Sequence, residues 1–472
     1  MRIFSETLTA ARGLFSPAEL TSTTGEKRTS STRRRLTSEL PFALAVILTG
    51  VVAGVGGTLL TLLLHAVQHV AFGYTENHFL QGVQQAGPLR RVVAVGVGGA
   101  IAGFGWWAHR SYLRRRAPET NISVTHALTV AEPRLPVAAT TIDAVLQIVA
   151  VGAGGSMGRE GAPRQVGAAL GTALSRALHL DLSSRRILLA AGAGAGLAAV
   201  YNVPLGGAAF TLEVLLRTLS PRALLTALVT SGVAAVTAWP VLGTQPTYAL
   251  PRPATTAGAL LVVTVIAPLL GALAAPLGSA FRLLMTYARA SAPSGWRAAV
   301  AIPLTFTALG AAAIALPELL GNGKGLAQLD LIGPATLGSV AALTLLKPLA
   351  TAACLRSGAI GGLLTPAFAT GATFGVLLAK LGATIWAPSM TVNFSLVGAA
   401  AVLAVAQRAP VTAVVLTVEF AHPPLTILPA LVLAVAAALL SIRWSRRLLK
   451  QLRERRGRAP RPAGQLTRRS AR

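Results

Sequence analysis

Cysteine, acidic side chains and aromatic rings are all scarce in this sequence of 472 residues. The single cysteine, Cys354, excludes an internal disulfide and leaves no cysteine cluster for zinc or an iron–sulfur centre. Only 12% of the residues are charged, whereas 53% are hydrophobic. Apolar stretches of about 20 residues, long enough to span a bilayer, recur through most of the chain. The composition therefore predicts an all-α, polytopic integral membrane protein.

The charge balance is strongly basic, with 42 Lys and Arg against 15 Asp and Glu and a net charge of +27. In a soluble protein this excess would suggest nucleic-acid binding. Much of it, however, falls in two terminal stretches, Arg2–Arg35 and Arg443–Arg472. Basic flanks beside membrane helices mark the cytoplasmic side and attract anionic lipid. We therefore predict no nucleic-acid partner, contact with membrane lipid, both termini in the cytoplasm and an even number of full crossings.

The chain divides into three parts by composition. Residues 1–38 are predicted to be a basic, disordered cytoplasmic tail, residues 39–446 a transmembrane domain, and residues 447–472 a second basic cytoplasmic tail. Many apolar segments of the middle part are shorter than a bilayer is thick and are interrupted by glycine or proline. Such segments are typical of broken helices around a site at the bilayer midplane.

An internal repeat divides the transmembrane domain into halves at about 40–242 and 256–446. One constant offset (410 − 204 = 206) pairs identical residues of the two halves: Gly192 with Gly398, Pro204 with Pro410, Thr211 with Thr417, and Glu213 with Glu419. Shared proline, threonine and glutamate in register indicate a duplication. Glu213 and Glu419, near helix ends, are predicted to be hydrogen-bonding anchors. If each half crosses the membrane an odd number of times, the two halves are inverted repeats.

The stretch Gly152–Gly171 places Arg159 and Glu160 inside a long apolar tract. A charge at mid-bilayer costs about 2.5–3.5 kcal/mol, so such residues mark a pathway or a partner. Glycines before the charged pair favour a loop, whereas Pro163 suits the first turn of a helix. The free N–H groups of that helix, beginning with Gly161, would form an anion site at membrane depth. Glu160 is then a tethered anion at its mouth.

Three motifs resemble the CLC family of chloride channels and chloride/proton antiporters: G-R-E-G-A-P at Gly158–Pro163, Y-N-V-P-L-G-G-A-A-F-T-L-E at Tyr201–Glu213, and S-G-A-I-G-G-L-L-T-P at Ser357–Pro366. The resemblance covers about Leu40–Ile442. It implies two inverted repeats of tilted and broken helices, a homodimer in which each subunit has its own pore, no cofactor and no enzymatic activity. It also implies an integral protein of a bacterial-type plasma membrane.

The resemblance also assigns roles to single residues. Glu160 matches the gating glutamate, whose side chain occupies or vacates an anion site. Leu363 and Leu364 match positions whose backbone N–H groups face the central anion, and Ser123, which follows A-P-E, matches the serine of the inner gate. These three residues and Gly161 are the predicted anion-binding residues.

Two departures from the family pattern bear on the mechanism. Val214 occupies the position where antiporters carry a second glutamate on the proton path, and valine cannot carry a proton. Pro424 stands where a tyrosine of the central anion site is expected. Both departures favour a chloride channel without proton coupling. The alternative is a proton-coupled chloride antiporter on the same fold, and fluoride or nitrate remains possible as the anion.

Other classes of function find little support in the sequence. Gly154–Gly158 fits the G-x-S-x-G pattern of a serine nucleophile, which would make Ser156 the centre of an intramembrane hydrolase. That pattern requires a preceding strand and a partner histidine, and neither is evident. His65 and His69 lie one helical turn apart at the end of an apolar run, where interfacial histidines are ordinary, so we predict no metal site. A purely structural membrane scaffold is the remaining alternative.

Overall fold

The computed structural model describes residues 25–74, 79–249, 253–332 and 336–457. Within these ranges the chain forms helices and one isolated β-bridge, between Gly158 and Gly362. The part of α1 up to Leu44 belongs to one compact unit, and the chain from Ala45 onward forms another. The predicted tails fall partly outside the described residues, at 1–24 and 458–472, and their boundaries stay predictions.

The helices are numbered in chain order. Those before the midpoint of the chain are α1 (Gly25–Phe72), α2 (Phe79–Gln85), α3 (Pro88–Arg116), α4 (Val124–Thr129), α5 (Val137–Gly152), α6 (Gly161–Ala177), α7 (Leu182–Tyr201), α8 (Pro204–Phe210) and α9 (Pro221–Leu242). A π-helical turn, Thr211–Leu216, continues α8.

The second half begins with two long helices and ends with another. Its helices are α10 (Ala257–Ala290), α11 (Trp296–Ala315), α12 (Lys324–Ile332), α13 (Leu337–Arg356), α14 (Leu364–Leu381), α15 (Thr391–Gln407), α16 (Pro410–Ala421) and α17 (Leu428–Gly457). Among the described residues, nine helices are long and apolar enough to cross a membrane. α5, α16 and α8 with its π-helical turn are apolar but shorter, as the broken-helix interpretation predicts.

The two halves repeat the same local backbone. α7 and α15 both end at a residue in the left-handed conformation, Asn202 with φ 55° and Arg408 with φ 56°. The next helix then begins in each half with a proline at its first position, Pro204 and Pro410. Proline suits this position because the first turn of a helix needs no backbone donor. The matching caps give structural support to the repeat inferred from the sequence.

Small residues bring equivalent helices close together in both halves. α6 packs on α7 so closely that a side chain at Gly192 would overlap the carbonyl of Gly167. α14 packs on α15 in the same way, where a side chain at Gly398 would overlap the carbonyl of Gly371. Close backbone contact at glycine is a common means of helix association in membranes, where burial of apolar surface contributes little.

Two glutamates join the halves to each other. Glu213 accepts hydrogen bonds from the backbone N–H groups of Val411 (3.0 Å) and Thr412 (2.7 Å), at the start of α16. Glu419 accepts from the N–H groups of Leu205 (2.9 Å) and Gly206, at the start of α8. Each carboxylate of one half thus caps a helix N-terminus of the other. The anchoring role predicted for Glu213 and Glu419 agrees with this geometry.

We expect Glu213→Gln and Glu419→Gln each to lower the free energy of unfolding by about 1–3 kcal/mol, because each removes charge-assisted hydrogen bonds to a helix N-terminus. The measurement is thermal unfolding of the purified protein in detergent. Glu132→Gln, at an exposed position, is the matched control and should leave the unfolding temperature unchanged. Unfolding temperatures equal to that of the wild type would contradict the anchoring role.

Candidate anion site and gate

The loops that precede α6 and α14 meet at the centre of the molecule. Gly158 and Gly362 exchange two backbone hydrogen bonds, each 2.8 Å long. Gly154, with φ +111°, turns the chain after α5 toward this bridge, and a left-handed backbone of this kind favours glycine. α6 then begins at Gly161 with Pro163 in its first turn, as the sequence predicts. The bridge places the start of one half's helix beside that of the other.

Glu160 lies between these two helix starts and is fully buried. Its Oε1 accepts a hydrogen bond of 2.6 Å from the backbone N–H of Leu364, the first residue of α14. Its Oε2 accepts from the hydroxyls of Tyr201 and Thr365, each at 3.2 Å. A helix N-terminus favours a negative charge through its free N–H groups and its dipole. The carboxylate therefore occupies a place where an anion could bind.

The other predicted anion-binding residues lie at different distances from this carboxylate. Leu363 is the N-cap of α14, next to Leu364, and its carbonyl accepts from Gln407 at 3.3 Å. Gly161 follows Glu160 directly. Ser123 instead caps α4, where its hydroxyl accepts from the N–H of His126 at 3.4 Å. The anion-binding roles of all four residues stay predictions.

The two departures from the family pattern have clear structural settings. Val214 lies half-buried in the π-helical turn after α8 and packs against the main apolar core. Pro424 is exposed and precedes a short 3-10 turn at Leu425–Ile427. Neither side chain offers a polar atom to an anion or a proton.

An aromatic cluster that the sequence did not predict packs beside Glu160. Tyr201 contacts Phe420 edge-on at 5.4 Å between ring centroids, and Tyr248 stacks on Phe368 at 4.8 Å. Tyr248 is buried, and its backbone N–H donates to the carbonyl of Phe420 at 2.8 Å. Tyr201 stands inside the Y-N-V-P motif, so the motif itself was a signal for it. Tyr248 had no such signal.

The alternatives of a hydrolase and a metal site gain no support. The hydroxyl of Ser156 is buried and has no hydrogen-bond partner among the described residues, so no histidine activates it there. No group of three or more His, Cys, Asp and Glu side chains in the described part of the chain is placed to hold a metal ion.

A cavity of about 340 Å³ lies next to Glu160, and among the described residues its lining carries cationic groups but no carboxylate. Arg159, which precedes Glu160, is held there by a hydrogen bond of 3.0 Å to the carbonyl of Val200 and by the Tyr201 ring, 4.8 Å from its guanidinium carbon. His65, His69 and Lys324 also line it. Positive charge around a cavity raises the local concentration of anions.

Lys324 begins α12, outside the candidate membrane-spanning helices. Burial, reinforced by the positive charge of Arg159, lowers the pKa of Lys324 to about 8. This side chain therefore carries its charge below that pH and loses it above. The sequence alone gave no sign of this, since an isolated lysine before a short helix is ordinary.

Comparison with known proteins identifies the family. The family model described as "Voltage gated chloride channel" matches residues 98–442. The chain belongs to this CLC family. The resemblance inferred from the motifs is thereby confirmed, and with it the predicted fold class.

Among curated CLC proteins, the chain is 28% identical to a chloride channel protein of Ralstonia nicotianae described as ClcB-like, over 73% of this chain and 81% of that protein. It is 29% identical to the H(+)/Cl(-) exchange transporter ClcA of Vibrio cholerae, over 61% of this chain and 64% of ClcA. It is 27% identical to the voltage-gated ClC-type chloride channel ClcB of Salmonella typhimurium, over 80% of this chain and 91% of ClcB.

Two solved CLC structures show the same fold. One is a slow cyanobacterial Cl-/H+ antiporter, with a TM-score of 0.70 and 22% identity over 87% of this chain and 99% of that one. The other is a CLC-type fluoride/proton antiporter, with a TM-score of 0.64 and 22% identity over 88% of this chain and 96% of that one.

We expect Gly362→Ala to hold the gate open. A methyl group at Gly362 would overlap the Glu160 carboxyl group, so the flexible side chain must leave its place on α14. Anion flux from proteoliposomes at neutral pH should rise by about tenfold or more, because the conformation with Glu160 away from α14 changes from a minor to the major state. Gly232→Ala, on α9 with open space at its Cβ, is the control. An unchanged flux would contradict the steric argument.

We expect anion entry from the cavity to fall as the pH rises through about 8, where Lys324 loses its proton. Lys324→Arg keeps its charge, so its flux should exceed that of the wild type by up to about tenfold one pH unit above this value. Lys324→Met carries no charge at this position, so its flux should stay below that of Lys324→Arg at every pH. The measurement is initial anion uptake at low ionic strength. A wild-type pH profile identical to that of Lys324→Arg would contradict the role of Lys324.

Proposed function

We propose that this CLC protein exchanges chloride for protons across the membrane. The observation that carries the proposal is the Glu160 carboxylate, which is fully buried and accepts the Leu364 N–H at 2.6 Å. A charged carboxylate and a chloride ion compete for the same donors, so only one of them binds at a time. Glu160 is thus the gate, and the backbone N–H groups of Leu363, Leu364 and Gly161 form the anion site.

Protonation changes the outcome of this competition. A neutral carboxyl group has lost the charge that holds it on the α14 N-terminus, so chloride displaces it. When the proton leaves, the carboxylate returns and expels the anion. Chloride binding therefore accompanies proton binding on Glu160, and release of each to opposite sides gives exchange. Thr365 and Tyr201 can donate to either occupant through their hydroxyl groups.

Relatives support exchange over passive conduction. The ClcA proteins of Vibrio are described as exchange transporters, and both solved structures cited above are described as antiporters. Passive chloride conduction is the second candidate, and it was the main prediction from the sequence. Val214 favours it because the expected proton-carrying glutamate is missing, and the ClcB relatives are described as channels.

The assembly and its orientation belong to the same proposal. We place a homodimer in a bacterial-type plasma membrane, in contact with lipid and with both termini in the cytoplasm. The basic stretch Arg114–Arg116, which ends α3, and the basic residues of α17 support this orientation through the positive-inside rule. Chloride is the proposed physiological anion.

The test uses purified protein in liposomes loaded with chloride, with a chloride electrode and a pH electrode outside. Exchange predicts that chloride efflux drives protons inward, against their gradient, and that a protonophore collapses the proton signal. Chloride efflux without proton movement would identify a channel. No flux of any halide would overturn the transport function itself.

We expect Glu160→Gln to keep chloride flux and to abolish proton transport. Glutamine cannot take up a proton and lacks the charge that competes with the anion, so its flux should be at least as fast as that of the wild type and independent of pH between about pH 4.5 and 7, where Lys324 stays charged. The same two electrodes measure both quantities. A slower flux at neutral pH, or a flux that still rises as the pH falls from about 7 to 4.5, would contradict the gating role. Glu132→Gln, at an exposed position, is the matched control.

A further inference from the structure

A second buried carboxyl group lies in the membrane domain, away from the cavity. Asp143, on α5, is fully buried. Its Oδ2 accepts a hydrogen bond of 2.8 Å from Nε2 of Gln147, whereas its Oδ1 has no partner among the described residues. Buried polar atoms are nearly always hydrogen-bonded, and an ionisable side chain in a membrane domain is costly. A buried carboxyl group with one oxygen that has no hydrogen-bond partner is therefore a candidate functional group.

Side chains connect Asp143 to the gate. Gln147, one helical turn further along α5, hydrogen-bonds Asp143 and also Oε1 of Gln165 on α6. Oε1 of Gln147 has no hydrogen-bond partner among the described residues and packs against Gly161, where a Cβ atom on Gly161 would overlap it. Gly161 is the residue directly after Glu160. A polar path thus runs from Asp143 along α5 to the turn that carries the gating carboxylate.

On its other side, Asp143 faces α3. Arg110 is the charged residue of α3 that interacts with Asp143, and its guanidinium lies 5.9 Å from the ring of Trp106. α3 and α5 run antiparallel, because Gly98 packs on Ala153 and Gly105 on Leu146. Asp143 therefore lies toward the end of α3 that carries Arg114–Arg116, the flank assigned to the cytoplasm. The basic cavity opens on the other side of the gate.

The other acids of the membrane domain are less suited to carry protons. Both oxygens of Glu213 and both oxygens of Glu419 accept backbone N–H groups at helix starts. A proton bound at either glutamate would weaken a helix cap that joins the two halves of the chain. The groups that interact with Asp143 are instead side chains, namely Gln147 at 2.8 Å with Gln165, Trp106 and Arg110 around it, so Asp143 can bind and release a proton without breaking a helix cap.

We propose that Asp143 carries protons between the cytoplasmic side and Glu160. It would do so in place of the proton-path glutamate whose position Val214 occupies in this chain. The inference rests on the proposed exchange of chloride for protons. In each transfer the O–H bond of the Asp143 carboxyl group breaks and an O–H bond forms on Glu160. Water hydrogen-bonded to the Gln147 amide passes the proton between them, because an amide group does not itself take up and release protons. The charge left on Asp143 faces Arg110, which stabilises it until a proton arrives from the cytoplasmic side.

The experiment compares Asp143→Asn with the wild type in the chloride-loaded liposomes. Asparagine has the same shape and keeps one acceptor but cannot carry a proton. We expect chloride efflux close to that of the wild type, and proton uptake reduced at least about 100-fold, the lower range for a positioned acid or base. Asp143→Glu, which retains a carboxyl group, should restore proton uptake. A merely structural aspartate would change both fluxes together.

Gln147→Met tests the path independently, because it leaves Asp143 intact while removing the polar side chain between it and the gate. It should also lose proton uptake and keep chloride efflux. Proton uptake by Asp143→Asn at the wild-type rate would overturn the role of Asp143 while leaving exchange intact. Loss of both fluxes in both variants would also overturn it, since the residues would then be structural. A wild type that moves chloride without protons would overturn both proposals.

Discussion

One contact determines how this protein is organised: a carboxylate from the first half of the chain rests on a helix N-terminus of the second. The Glu160 carboxylate accepts a hydrogen bond from the Leu364 N–H, and several neighbouring contacts stabilise this arrangement. The Gly158–Gly362 bridge aligns the two loops, and a side chain at either glycine would overlap the carboxyl group. The Arg164 side chain stabilises the first turn of α6 by donating a hydrogen bond of 2.9 Å to the backbone carbonyl of Glu160. In an apolar interior, backbone amides are the cheapest way to stabilise a mobile anion, since they introduce no countercharge that would trap it.

The two sides of Glu160 differ in the charge of their side chains. The described residues that line the cavity beside Arg159 and Lys324 are cationic or neutral, whereas Asp143 lies on the opposite side of Glu160 with Arg110. The cavity therefore favours an anion, and the opposite side offers a carboxyl group to a proton. The scarcity of acidic residues in the sequence has its counterpart here, because Glu213, Glu419 and Asp143 each bind a different segment of the chain.

Much of the fold followed from the sequence because its signals are local or periodic. The repeat offset, the Pro204 and Pro410 helix starts and the glycine loop before α6 depend on neighbouring residues, and Glu160 stood out because a charge interrupted an apolar tract. Tyr248, Lys324 and Asp143 had no comparable signal. Their roles depend on side chains that meet from distant segments, such as α3, α5 and α6 around Asp143. The preference for a channel came from Val214 and Pro424, and a missing side chain cannot reveal whether another residue of the fold replaces it.

The reciprocal caps at Glu213 and Glu419 also limit how the molecule can move. Many transporters with inverted repeats rock one bundle against the other to expose a site alternately to each side. Here such a rotation would break both caps and the loop bridge together, leaving buried N–H groups without partners at a cost of about 1–3 kcal/mol for each. The proposed exchange needs only small rearrangements of side chains about this frame, in which the Glu160 carboxyl group moves past the packed aromatic cluster that contains Tyr201.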